Sequence, residues 1–341
     1  MNVLPYKAVV PANIAFLKYW GKRDTQTQWP ANNSLSMSLA QSVTTTYAKV
    51  LSDIREHQIY FSGQHLNRDS SFGQKAYAYL DFLSKHLSVN TCLHIDTNNS
   101  FPTGCGIASS ASGFGALTLA AVAAWLQADS LETLEKIGFT RDRLSALARL
   151  GSGSSCRSFW GGYVSWKAGN ASDQQESVQL FPDTHWDLTD TIVIFSETEK
   201  KVSSSEAHRD AWSSPLFEPR LAGIGEKEEL MIDAIKEKNI KTLGPLLEQE
   251  ALEMHAVMMT ANPSTCYLAS QSTEFLTWLR DLRKRKGIAA YFTIDAGPNI
   301  HVISEQKNSS LLHAEIKKSF PNLKFLADHV GSGPTLTQEA Q

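Results

Sequence analysis

Residues 102–126 read "PTGCGIASSASGFGALTLAAVAAWL", and the stretch changes character halfway along. Its second half, mostly alanine and leucine, has the make-up of a core helix. No side chain in the first half could fill a core. Gly104 and Gly106 allow backbone conformations and close approaches that a side chain forbids. Ser109, Ser110 and Ser112 gather where the helix should begin. A helix N-terminus offers unpaired N–H groups and the positive end of the helix dipole, so the loop suits a phosphate. It is not a Walker A sequence, because the GK[ST] ending is missing, and it lacks the GxGxxG spacing. A tight turn with a helix cap would account for the same residues.

The segments around it set the fold class. "YKAVVPANIAFLKYW", "SLSMSLAQSVTTTYAKVL", "HQIYFSG" and "TCLHIDT" are strand-forming runs. Between the last two, Tyr77, Leu80, Leu83 and Leu87 recur at helical spacing. "RDRLSALARLG" is a further helix with Gly151 as its expected C-cap, and "GGYVSWKAG" and "TIVIFSET" return to strand. After "TIVIFSET" the chain turns helical. Its helices are interrupted by the hairpin "AAYFTIDAGPNIHVISE", turning at Gly297 and Pro298, and followed by a strand, "LKFLADHV". Strands first and helices later predict an α+β protein of two lobes, not an alternating Rossmann sheet. The polar segment from Lys167 to Trp186 is the best boundary, dividing the chain into 1–185 and 186–341.

Composition narrows the function. With 341 residues, 42% hydrophobic and 20% charged, the chain can bury a sizeable core and is not of disordered type. A net charge of −3 without a lysine-arginine block argues against a nucleic-acid partner. Lys18 and Lys22 interrupt the first apolar run, so no signal peptide is expected. The most apolar run, Leu117 to Leu126, is too short for a membrane span. Cys92, Cys105, Cys156 and Cys266 are far apart and show no CxxC spacing, which predicts reduced cytoplasmic thiols rather than zinc or disulfides.

Several loops could do chemistry. "ARLGSGSSCRSFWGGYVSW" places Ser152, Ser154, Ser155 and Arg157 within six residues, a set that suits phosphate or carboxylate. "LKYWGKRD" adds Lys18, Tyr19 and Lys22, and "SETEKKVSSSEAH" adds Lys200, Lys201, Ser203, Ser204 and Ser205. Together they predict a site for a highly phosphorylated substrate. Asp295 lies inside the apolar "FTIDAGPNIHVI", where a carboxylate needs a partner. Either it caps the turn at Gly297 and Pro298, or it faces the cations and orients or deprotonates a substrate hydroxyl. Glu250, Glu253 and His255 in "EQEALEMHAVM" do not form HExxH and read as a packed helix with a satisfied histidine. "RDLRKRKG" reads as a solvated helix end, where cations complement the dipole.

In order, "NIAFLKYWGKRD", "PANNSLSMSL", "PTGCGIASSASGFGAL", "GSGSSCRSFWGGYVSW", "KKVSSS", "MHAVM", "TIDAGPNIHV" and "VGSGP" resemble the signature of the mevalonate diphosphate decarboxylase family, within the GHMP kinase superfamily. The similarity spans about Asn13 to Pro334. It implies a two-lobed GHMP fold with a deep active-site cleft, an ATP-binding lobe at 1–185 and a second GHMP lobe at 186–341. It also implies ATP and Mg2+ as cofactors. The implied reaction is phosphorylation of the 3-hydroxyl of mevalonate 5-diphosphate, then loss of phosphate and CO2 to give isopentenyl diphosphate, a step of isoprenoid biosynthesis. By position, Gly104, Gly106, Ala108, Ser109, Ser110 and Ser112 would cradle the ATP phosphates, with Ser110 as a magnesium ligand. Tyr19, Lys22, Ser152, Ser154, Arg157, Ser203 and Ser204 would surround the substrate. Asp295, Lys18 and Arg157 would be catalytic, in a cytoplasmic homodimer. Two departures stand out: "PTGCGIASS" replaces an alanine-rich "PTAAGLASS", and "KKVSSSEAH" lacks the usual glycine-methionine continuation. The second bears on the terminal phosphate, so decarboxylation of mevalonate 5-phosphate, or 3-phosphorylation alone, is the alternative.

Overall fold

A computed structural model describes residues 4–51, 55–102, 109–196 and 204–339, with 204–206 as backbone only. The strand Ser34–Leu51 is the axis of the first half. Its first six residues are buried, and from Ser42 to Ala48 buried and half-buried positions alternate. That change of period marks a strand covered on both faces at one end and on one face at the other. Tyr6–Leu17 pairs antiparallel along it, and Thr335–Gln338 pairs on the outer side of Tyr6–Leu17. On its other side, Tyr163–Lys167 occupies one end and Cys92–Asn99 the other. Gln58–Phe61, Gln64–His65 and Glu176–Phe181 complete an eight-stranded sheet.

The register between the two long strands breaks between Pro11↔Val43 and Asn13↔Ser38. The carboxylate of Asp328, from the second half, accepts the N–H groups of Ala40, Gln41 and Ser42 there, at 3.0, 2.9 and 2.7 Å. The bulge thus bends the strand and supplies the seam between the two halves.

The helix Ser109–Leu126 lies on this sheet and is buried on all sides from Phe114 to Trp125. By length and composition it could cross a membrane, which the shorter run from Leu117 did not suggest. However, 78% of it is buried inside the protein, as a core helix should be. Arg141–Gly151 follows, capped by Thr140 at its start and Ser152 at its end. Gly151 is therefore the last helical residue, not the cap. A β-carbon there would come within 2.3 Å of the Phe114 ring, so close packing accounts for this glycine.

The second half is a four-stranded antiparallel sheet in the order Ala290–Thr293, Ile300–Glu305, Leu188–Ile194, Lys324–His329. The expected hairpin is present. One face carries Val193, Phe292 and Val302 against Phe275 and Leu279 of the helix Ser270–Lys286 and Leu312 of Gln306–Ser319. On the other, Ile192 and Ile303 join Ile14, Phe16, Leu35 and Met37 of the first sheet. Leu243 and Leu247 of the helix Ile240–Thr260 belong to the same core. The strand Thr335–Gln338, unforeseen because its polar sequence carries little strand signal, crosses back to the first sheet.

Candidate active site

Lys18 is the first residue beyond Tyr6–Leu17, and Asp295 lies in the turn after Ala290–Thr293. They meet with Lys18 Nζ 2.6 Å from Asp295 Oδ1. The lysine is 1% exposed and the aspartate 19%. Lys18 Nζ also donates to Ala15 O at 2.7 Å. Burial drives the lysine pKa down, opposed first by Asp295 and then by Glu250, while Arg157 adds to the lowering. Asp295 meets the turn and the cation through different atoms. Its carbonyl accepts Gly297 N–H at 2.7 Å within the turn, and its carboxylate faces the cation.

Arg157 is 3% exposed and lies in the short 3-10 helix Gly153–Phe159. Its Nε and Nη2 donate to Asn13 Oδ1 at 3.2 and 3.1 Å, and Nη1 donates to the Ser34 hydroxyl. Asn13 is held in turn by its Nδ2, which donates to Ser158 Oγ at 2.9 Å. Burial lowers the guanidinium pKa, and among the groups opposing it is Asp295, so the two lie within electrostatic reach. Asn13 and Ser34 were missed as functional residues, although both sit inside motifs that stand out in the sequence. Neighbouring Cys156 is fully buried, its thiol pushed up by burial, in keeping with an inert residue.

Tyr19 packs edge-on against Trp166 with ring centres 4.7 Å apart, and against His208 at 4.3 Å. Its hydroxyl is buried without a hydrogen-bond partner among the described residues. A β-carbon on Gly153 would lie 2.8 Å from that ring, so glycine is what lets the two loops meet. Burial, and Lys75 to a lesser degree, push the Lys22 ammonium down to about 8.

Ser109 and Ser110 open the helix Ser109–Leu126, with Ser110 exposed. Ser152 Oγ donates to Ser110 Oγ at 3.2 Å, so the first turn of this helix and the turn at Ser152 form one surface. Ser154 is half-buried beside it. Ser112 and Ser155 turn the other way, and their hydroxyls do not join that surface. Ser112 Oγ is buried 2.7 Å from Thr44 Oγ1, and Ser155 donates to Ala111 O at 2.6 Å. Gly104, Gly106 and Ala108 lie outside the described residues, as do Lys200, Lys201, Ser203 and the side chains of Ser204 and Ser205. Glu250 and His255 lie buried in a packed helix, and the histidine is satisfied, as expected. Glu250 Oε1 accepts Lys18 N–H at 3.1 Å, and His255 Nε2 lies 3.1 Å from Asp295 O.

The chain is similar to known proteins over nearly its whole length. The diphosphomevalonate decarboxylase-like N-terminal domain matches residues 10–179, and the mevalonate 5-diphosphate decarboxylase C-terminal domain matches 191–340. The diphosphomevalonate decarboxylase of Debaryomyces hansenii is 34% identical over 337 residues, covering 94% of this chain and 84% of that protein. The Saccharomyces cerevisiae enzyme is 33% identical over 338 residues, covering 94% and 83%. A solved structure described as MDDEF in complex with MVAPP, AMPPCP and magnesium superposes with a TM-score of 0.89 at 29% identity, covering 99% of this chain and 100% of that one. Mevalonate diphosphate decarboxylase from Staphylococcus aureus superposes at 0.88 and 28% identity, covering 98% of each chain.

Proposed function

We propose roles for these residues from one premise: the chain belongs to the diphosphomevalonate decarboxylase family, with its GHMP-type α+β fold. The protein is an enzyme that decarboxylates mevalonate 5-diphosphate to isopentenyl diphosphate, using ATP and Mg2+ and releasing ADP, phosphate and CO2. The observation that carries the residue roles is the Lys18–Asp295 contact of 2.6 Å with Arg157 in electrostatic reach.

Asp295 Oδ accepts the proton of the 3-hydroxyl as that oxygen attacks the γ-phosphoryl group. Lys18 keeps the carboxylate ionised and aimed, and its positive charge offsets charge gathering on the transferred group. The C3–O bond then breaks with its electron pair leaving on phosphate. The electrons of the bond to the carboxylate form the new C=C bond as CO2 departs. Arg157 holds that carboxylate in line. A guanidinium has five N–H donors, and the three that bond Asn13 and Ser34 leave two, on a group fixed before substrate arrives. Tyr19, whose hydroxyl has no partner among the described residues, and Lys22, Ser152 and Ser154 bind substrate oxygens. Ser203 and Ser204 join them on the resemblance alone.

The start of the helix Ser109–Leu126 fits nucleotide phosphate, having no acidic residue in its first turn and exposing Ser110. Gly104, Gly106 and Ala108 would complete that cradle. Among the described residues no group of three His, Cys, Asp or Glu side chains could hold a metal. Magnesium bound by phosphate oxygens and the Ser110 hydroxyl suits a hard cation that keeps few protein ligands. The bound metal and nucleotide supply the phosphoryl group and shield its charge.

The lobes divide near 185, giving 1–185 and 186–341, and the enzyme acts in the cytoplasm as a homodimer. The unpaired thiols of Cys92, Cys156 and Cys266 favour a reducing compartment. Sedimentation in solution tests the dimer. Incubation with ATP and either mevalonate 5-phosphate or the 5-diphosphate, measuring ADP and CO2 separately, tests the reaction. Equal amounts from the diphosphate are expected. ADP without CO2 would make the protein a kinase.

A further inference from the structure

Both ends of the Lys18–Asp295 contact lead back to one helix. Ile240–Thr260 carries Glu250 and His255, five residues and about 7.5 Å of helix apart. Glu250 is fully buried. Its Oε1 accepts the Lys18 N–H at 3.1 Å and bonds the Arg220 guanidinium, while Oε2 accepts Lys227 Nζ at 2.8 Å. The Lys18 carbonyl is held as firmly, by Arg220 Nη2 at 3.0 Å and Asn32 Nδ2 at 2.9 Å. At the other end, His255 Nε2 donates to the Asp295 carbonyl at 3.1 Å. The bonds close a ring: helix, Glu250, Lys18, Asp295, His255, helix.

We propose that Glu250 and His255 are positioning residues, through which this one helix sets the distance between the Lys18 ammonium and the Asp295 carboxylate. The idea rests on the roles given above to those two residues. Stability alone is a poor reason for the cluster, because a buried carboxylate with two cations is often no more stabilising than well-packed apolar side chains. Its bonds converge on the peptide groups of Lys18, the buried lysine that touches Asp295. Misplacement by an ångström at such a centre is enough to lower turnover about 100-fold.

The test uses the full chain and compares Glu250→Gln, His255→Leu and His255→Gln with Asp295→Asn, measuring kcat, KM for mevalonate 5-diphosphate and Tm. His255→Leu should lower kcat about 10- to 100-fold with KM changed less than about threefold. His255→Gln, whose amide can reach the same carbonyl, should recover most of that loss. Glu250→Gln retains an acceptor for the Lys18 N–H but removes a charge that holds Lys18 protonated against its burial. Among the described residues the charged groups acting on Lys18 are Asp295, Glu250 and Arg157, with Arg220 bonded to its carbonyl. Since Asp295 and Arg157 are untouched, the alkaline limb of kcat should move to lower pH. A merely structural glutamate would leave the limb in place. Parental kcat in folded His255→Leu together with an unmoved limb in Glu250→Gln overturns the proposal. So does an equal loss in both His255 variants that follows their Tm. If Asp295→Asn itself keeps parental turnover, the catalytic reading falls instead, and the two failures are told apart.

Discussion

The helices Ser109–Leu126 and Ile240–Thr260 both border the site, and they serve it in opposite ways. The first is apolar on all sides and buried, so only its opening turn, with Ser109 and Ser110, has chemistry to offer. The second carries Glu250 and His255 on buried flanks midway along its length and addresses other parts of the protein. A helix end presents backbone groups that its own turns cannot satisfy, which makes it a place for ligands. A helix middle has no such groups to spare and acts through side chains whose partners come from distant sequence. Changes at the first should therefore alter ligand requirements, and changes to the clients of the second should alter turnover.

A large loss of turnover belongs to a client of the second helix. Lys18→Met should lower kcat about 10²–10³-fold, the range seen when one group stabilising transition-state charge is removed, with KM for ATP little changed. A KM effect without loss of kcat would place Lys18 on the ligand-binding side of the comparison. At the first helix, Ser110→Ala should raise the Mg2+ concentration for half-maximal rate about tenfold, in the range for weakening a metal's surroundings. Titration of activity with the metal measures it, and an unchanged requirement removes Ser110 from the metal.

The pH dependence of kcat/KM reports the free enzyme. Lys22, lowered to about 8, loses its charge as pH rises through that value. The profile should fall about tenfold per unit above it, and Lys22→Arg, which stays charged, should hold its value at pH 9. A profile that falls equally in both proteins assigns the limb elsewhere. Ser112→Ala is the smallest: about 1 kcal/mol of stability in urea unfolding, for a buried hydroxyl contact, with the Mg2+ requirement unchanged. If it instead weakens ATP binding, the contrast within that opening turn is wrong.

Much of the site was legible because its residues break local rules. Lys18 and Asp295 are charges in apolar runs, and Arg157 stands alone in a glycine-serine loop. The strands and the hairpin followed from alternation and turn residues. What stayed hidden was direction and distance. Ser110 and Ser112 are about 200° apart around a helix, so both could not face one ligand, and Ser112 bonds Thr44 instead. Asn13 and Ser34 hold Arg157 from 144 and 123 residues away. Glu250 reaches Lys18 across 232. Nothing in the helical spacing of "EQEALEMHAVM" reveals such partners, although "MHAVM", with His255, is among the stretches that carry the family resemblance.

The central claim is that Asp295, held by Lys18, takes the hydroxyl proton while Arg157 governs the later loss of CO2. Single-turnover experiments with mevalonate 5-diphosphate and ATP, following ADP and CO2 together, test it most directly. Asp295→Asn should slow ADP formation about 10²–10⁴-fold, as for a lost general base, with CO2 falling in step. Arg157→Gln should still form ADP but release less CO2 per ADP than the parent. Normal ADP formation by Asp295→Asn, or a parental product ratio and substrate affinity in Arg157→Gln, would contradict the account.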